Sequence, residues 1–157
     1  MGVRSKHSVF KVASYLLSKS DPYSDDFSVT HLKLQKLVYY AQAWHYAIKQ
    51  KPLFKEEIEA WVHGPVCPDL YHAYKNNGFE IIKPKMDNED FDFNSFEIEV
   101  MDLVWEAYGG MSGGMLEQLT HTEDPWIEAR GNLDEKISSN NIISLSSMGE
   151  YYNKPEV

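Results

Sequence analysis

The 157-residue chain has one cysteine, Cys67, so it has no internal disulfide and cannot by itself assemble a zinc site of several thiolates. Basic residues are scarce: 15 Lys and Arg face 24 Asp and Glu, a formal charge of −9. Sequence-independent affinity for nucleic acid comes from Lys and Arg displacing counterions, so this balance argues against direct binding to DNA or RNA and against an anionic membrane surface. No apolar run approaches the roughly 18 residues of a membrane span. The polar start, Met1 to His7, is no signal-peptide core, and Lys6 breaks the myristoylation pattern. A soluble cytoplasmic protein is expected. Repeats and low-complexity linkers are missing too, and the length suits one domain over 1–157 with short tails.

Rings and apolar residues are present in quantity. Hydrophobic residues make up 43% of the chain, with 4 Trp, 10 Tyr and 7 Phe, enough for a core and too much for a disordered chain. Val9, Val12, Ala13, Leu16 and Leu17 recur at helical spacing after Ser8, a suitable N-cap, and predict a helix over 8–19 that ends at Asp21-Pro22. The strongest helical segment, 31–50, can be capped by Thr30 or Ser28 and stops at Pro52. On a wheel, Leu34, Leu37, Val38, Ala41, Trp44 and Ile48 fill one face and Leu32, Tyr39, Ala43 and Tyr46 the other, which predicts a central, buried helix. Two narrow polar stripes interrupt it, Gln35 with Gln42 and Lys33 with Lys36 and the Tyr40 hydroxyl. A cation on such a helix must reach water or find an acidic partner.

Residues 53–67 alternate loosely and end in the ordered turn His63-Gly64-Pro65-Val66-Cys67-Pro68. Asp69–Lys75 reads as a short helix closed by Gly78 in a left-handed cap, and Phe79–Ile82 as a brief strand. Asp87 to Glu99 carries six carboxylates and no base, a solvated loop leading to a helix marked by Ile98, Met101, Val104, Trp105 and Tyr108. Ser112 starts another, with Met115, Leu116 and Leu119 inside. Asp124 caps a short helix whose first position is Pro125, and a last helix runs from about Asn140 to Tyr152, docking through Ile142, Ile143, Leu145, Met148, Tyr151 and Tyr152. The expected fold is mainly α, five to seven helices around 31–50, with at most a minor β element.

Chemistry-bearing patterns are weak. Gly110-Met111-Ser112-Gly113-Gly114 matches G-x-S-x-G, but a helix, not a buried strand, precedes it, so Ser112 is read as an N-cap. Asp90-x-Asp92-x-Asn94 opens like a calcium loop, yet Ser95 replaces the turn glycine and Met101 the bidentate Glu. His63 and His121 lie in turns near Cys67, Asp69, Glu123 and Asp124 without metal-ligand spacing. A metal-dependent hydrolase built from them stays a remote alternative, and no phosphate-binding glycine pattern exists. Neither a cofactor nor an enzymatic activity is expected.

Three segments together carry a resemblance: Leu32-Lys33-Leu34-Gln35-Lys36-Leu37-Val38-Tyr39-Tyr40-Ala41-Gln42; Ile58-Glu59-Ala60-Trp61-Val62-His63-Gly64-Pro65-Val66 with Pro68 and Tyr71; and Leu119-Thr120-His121-Thr122-Glu123-Asp124-Pro125-Trp126. In this order they resemble the Panacea domain, the SocA-like antitoxin or phage-associated GepA-like family, over about Val9 to Tyr152. The Asp21–Phe27 loop looks long for the family, and Gly113-Gly114 stands where a helix normally has better formers. The resemblance implies a mainly helical bacterial or prophage antitoxin that neutralises a growth- or translation-inhibiting toxin encoded beside it by direct binding. One relative instead delivers its toxin to a ClpXP-type protease, so a proteolytic adaptor with a protease chaperone partner is the alternative. Homo-oligomerisation stays open.

Lys33, Gln35, Lys36, Tyr39, Tyr40, Trp61, His63, Gly64, Pro65, Tyr71, Thr120, His121, Asp124, Pro125 and Trp126 form the signature region that the resemblance implies. Two readings compete for it. It is a fold nucleus in which Asp124 or Glu59 pairs with Lys33 or Lys36 beneath stacked rings, or it is the surface that meets the toxin or a common host factor.

Overall fold

A computed structural model describes residues 7–85 and 91–153. Asp87, Glu89 and Asp90, and with Asp90 the start of the calcium-like pattern, lie outside the described residues, as do Met1–Lys6 and Lys154–Val157. The described residues form seven α-helices and one two-stranded sheet: α1 (Val9–Ser18), α2 (His31–Lys49), β1 (Glu59–Trp61), β2 (Gly64–Val66), α3 (Pro68–Tyr74), α4 (Ser95–Tyr108), α5 (Gly113–Thr120), α6 (Asp124–Arg130) and α7 (Leu145–Tyr152). The mainly α expectation is met. None of these helices is long and apolar enough to cross a membrane.

The helix starts follow from short polar side chains that accept free backbone N–H groups. Ser8 accepts from Lys11, Thr30 from Lys33, Ser112 from Met115 and Ser144 from Ser147. Asn94 and Glu97 form a reciprocal capping box at α4. Gln50 ends α2 in the left-handed region at φ 59°.

Helix α2 is the axis of the fold. It packs against α1, α3, α4, α5, α7 and β2, and Leu34, Leu37, Val38, Tyr39, Tyr40 and Ala41 are all essentially inaccessible. An element walled on nearly every side has no room for a polar face, which is why Lys33, Gln35, Lys36 and Gln42 are buried as well. Gln42 bridges to the following turn, its carbonyl accepting from Leu53 N at 2.6 Å and its amide donating to Phe54 O at 2.8 Å.

Several expectations are corrected. The loosely alternating 53–67 stretch contains an antiparallel hairpin, Glu59 opposite Val66, Ala60 opposite Pro65 and Trp61 opposite Gly64. Asn141–Ile143 lies along the other edge of β1, with Ala60 N donating to Asn141 O and Ile143 N to Ile58 O, both at 2.8 Å. This extended pairing delays α7 to Leu145, about five residues later than periodicity suggested, and leaves Ile142 exposed. Phe79–Ile82 supplies only one bridge, Ile81 to Thr30. Gly78 has φ 57° and ψ −129°, outside the left-handed helical cap, after a 3-10 turn at Lys75–Asn77. Asp124 lies inside the first turn of α6 and Glu123 is its N-cap. Ile48 and Met115, assigned to core faces, are about half exposed, because α2 and α5 each turn one apolar edge outward.

Candidate functional site

Lys36, completely buried on α2, donates from Nζ to Pro65 O at 3.2 Å. The hairpin turn passes directly over its side chain at Gly64, whose φ is 106°. A Cβ there would stand 2.7 Å from Lys36 Cε and 2.9 Å from Thr120 Oγ1. Glycine is required by both the backbone conformation and the space. Burial pushes the Lys36 ammonium down to about 7, a shift that the Glu117 carboxylate opposes. Glu117 also accepts from His63 Nδ1 at 3.2 Å, tying the exposed His63 to α5, and Thr120 Oγ1 donates to Glu117 O at 2.8 Å.

Three residues away, Lys33 solves the same problem with three carbonyls. Its ammonium donates to Asp26 O and Ser28 O at 2.9 Å and to Gly109 O at 2.7 Å. Burial lowers it to about 8, with the Asp26 charge acting in the opposite direction. The expected pairing of Lys33 or Lys36 with Asp124 or Glu59 is therefore corrected: backbone carbonyls take both ammonium groups, Glu59 accepts from the Trp61 indole at 2.9 Å, and Asp124 is exposed. Gln35 accepts from Cys67 N at 2.9 Å and donates to His31 Nε2 at 3.0 Å, holding the start of α3. Burial, and then the nearby Lys36 charge, pushes His31 below its ordinary value. Burial also raises the Cys67 thiol to about 11, a poor nucleophile at neutral pH.

The rings of the second and third segments lock to each other. Trp126 donates its indole N–H to Trp61 O at 2.8 Å and stacks on His121, centroids 4.0 Å apart at 18°. Pro125 is buried beside it, setting the first turn of α6. Arg130 covers the other part of this cluster, its guanidinium 4.9 Å from the Trp126 ring, with Nη1 donating to Ala60 O at 3.0 Å. Trp61 meets Tyr71 edge to face at 5.0 Å, and Tyr71 lies 5.3 Å from His31. Burial lowers His121, favouring the neutral ring. Its Nε2 is buried without a hydrogen-bond partner among the described residues.

Glu123 makes the third junction. Its Oε1 accepts from Tyr40 at 2.7 Å and from Tyr152 at 2.9 Å, and the Tyr39 and Tyr152 hydroxyls are 3.0 Å apart. Tyr40 also stacks on Tyr108, 3.9 Å and 15°. Burial raises Glu123 above the ordinary carboxylate value while the two phenols pull it down, and all three tyrosines are pushed well above 10 by burial.

The structure thus gathers Lys36, Gly64, Pro65, Thr120 and His63 at one junction and Trp61, Tyr71, His121, Pro125 and Trp126 at another. Tyr39 and Tyr40 belong to a third, Gln35 holds the start of α3, Lys33 joins the loop before α2 to the end of α4, and Asp124 lies in the first turn of α6. Sequence reasoning did not place Glu117 or Arg130 in the signature region and named Glu123 only as a carboxylate near His121, because nothing local tells whether Glu123 or Asp124 turns inward. Among the described residues no group of three or more His, Cys, Asp and Glu side chains is placed to hold a metal ion. Ser112 is engaged as a helix cap. These side chains act chemically as ties between elements.

Residues 34–127 match the family described as Antitoxin SocA-like, Panacea domain. The chain is also similar to Antitoxin SocA of Caulobacter vibrioides (strain NA1000 / CB15N), 30% identical over 127 residues that cover 73% of this chain and 66% of that protein, just under two thirds of its length. No solved structure matches the chain.

Proposed function

The chain belongs to the SocA-like antitoxin family of Panacea domains, and from this premise we propose that it neutralises a cognate growth- or translation-inhibiting toxin by direct protein–protein binding. The observation that carries the reading is where the family's signature side chains go. Lys36, Trp126 and Glu123 tie α2, the hairpin, α6 and α7 together, which supports reading the motif as a fold nucleus. A common scaffold held this way leaves its outer surface free to differ from one toxin to the next. Neutralisation needs complementary surface and a few anchoring side chains rather than an acid–base pair. The charge of −9 suits a basic toxin, through steering that weakens as salt rises.

The test is co-expression with the product of the adjacent open reading frame. Expected are growth arrest by that product alone, rescue by this chain, and co-purification of the two. Rescue without co-purification, accompanied by a shortened half-life of the partner, supports delivery to a protease instead. An adjacent product that is harmless alone and does not bind removes the reading.

A further inference from the structure

Between α1 and α2 the chain forms a loop whose ends meet. Asp21 N donates to Phe27 O at 3.0 Å, and Ser24 N donates to Asp21 O at 3.1 Å. Inside it, Asp21 Oδ1 accepts from Tyr23 N at 3.0 Å, and Ser24 Oγ accepts from Asp26 N at 3.2 Å and Phe27 N at 3.1 Å. From below, the Lys33 ammonium bonds to Asp26 O and Ser28 O and fastens both to Gly109 O at the end of α4. Pro22 restricts the backbone further.

This bracing presents rings to water. Tyr23 is 88% exposed, and Phe27, 46% exposed, lies 6.3 Å from Trp105. The hydrogen bonds that brace the loop run through its backbone and the side chains of Asp21, Ser24 and Lys33, while the Tyr23 ring stands outward in water. Segment 20–29 has Asp21, Asp25 and Asp26 and no Lys or Arg. The cation beneath it, Lys33, is buried. A fixed backbone carrying a rigid amphipathic ring with a like-charged rim has the features of a preorganised binding anchor: ordering entropy is met on folding rather than on association.

We propose that the Asp21–Phe27 loop is a toxin-contacting surface, with Tyr23 and Phe27 seated in an apolar recess of a partner whose rim is rich in Lys and Arg. The proposal rests on the antitoxin reading. Charge decides the occupant: a second copy meeting this loop across a two-fold axis brings three aspartates against three aspartates, whereas a basic protein complements them.

The full chain, titrated against the purified product of the adjacent open reading frame, tests the idea through Tyr23→Ala, Phe27→Ala and Asp25→Lys. Tyr23→Ala is expected to raise Kd about 30-fold or more, the range of an interface anchor. Asp25→Lys is expected to slow association about tenfold at low salt, a difference that shrinks at high salt. Unchanged melting temperatures for Tyr23→Ala and Asp25→Lys assign these losses to the interface. If the wild-type chain binds and rescues while Tyr23→Ala and Phe27→Ala bind within about threefold of it, the loop proposal alone is wrong. If the wild-type chain neither binds nor rescues, the antitoxin reading falls and takes the loop with it. If Tyr23→Ala instead abolishes a homodimer and leaves toxin binding intact, the surface belongs to a second copy and the proposal is overturned.

Discussion

Gly64 and Lys36 occupy each other's space: the glycine Cα passes so close over the lysine stem that a Cβ would come within 2.7 Å of Cε, while the ammonium beyond it holds Pro65 O at 3.2 Å. The hairpin turn and the central helix are thus one joint, built from a residue without a side chain and a residue with a long one. Thr120 closes the joint from α5.

Gly64→Ala is expected to destabilise the protein by about 2 kcal/mol or more, since an L side chain at φ 106° is strained and its Cβ would press on both Lys36 Cε and Thr120 Oγ1. Urea unfolding of the two proteins measures the difference. A change below about 0.5 kcal/mol would show that the joint yields.

Lys36 makes stability depend on pH in a defined window. The folded chain holds it at about 7 and the unfolded chain at its ordinary 10.5, so between these values the unfolded state binds a proton that the folded state has released. Stability from this group rises with pH across that window, and below it the full cost of a buried ammonium is present. Compared with Lys36→Met, the wild type should gain at most about 1.4 kcal/mol per pH unit between pH 7 and 9.5. Lys33, with the same sign from about 8, is common to both proteins and cancels. A flat difference across the window contradicts the assignment.

Removing the acceptor of two phenols should loosen the last helix. Glu123→Ala takes the carboxylate from the Tyr40 and Tyr152 hydroxyls; Tyr152 keeps the Tyr39 hydroxyl, and Tyr40 loses its acceptor at about 1–3 kcal/mol. Hydrogen exchange is expected to rise first in α7, whose contact with α2 runs through Tyr39, Tyr40 and Tyr152. Uniform loss of protection across all helices would mean that α7 does not open separately.

Trp126 separates packing from hydrogen bonding. Trp126→Ala removes the ring that His121 and Arg130 cover and is expected to cost about 3–5 kcal/mol. Trp126→Phe keeps an apolar ring but loses the bond to Trp61 O together with a smaller amount of packing, about 1–3 kcal/mol. Thermal unfolding of both variants checks the order. A stable Trp126→Ala that fails to bind a partner would instead place this ring in the interface.

What was legible before folding was local. Ser8, Thr30 and Ser112 announce their helices within one turn, and the all-round apolar pattern of 31–50 predicts the buried axis that α2 becomes, because capping and periodicity depend on residues three or four apart. The Panacea-like segments were equally visible as strings. Their contacts were not. Lys36 reaches Pro65 across 29 positions, Trp126 reaches Trp61 across 65, and Tyr40 reaches Glu123 across 83.

Composition and local pattern therefore settled an acidic, helical chain with polar groups that had to be satisfied inside it. Only the tertiary structure decided who satisfies them: Glu123 rather than Asp124, carbonyls rather than carboxylates for Lys33 and Lys36, and an extended Asn141–Ile143 rather than another helical turn. The reason is physical. A buried polar group must find a partner wherever the packed chain brings one, and which partner arrives depends on elements distant in sequence.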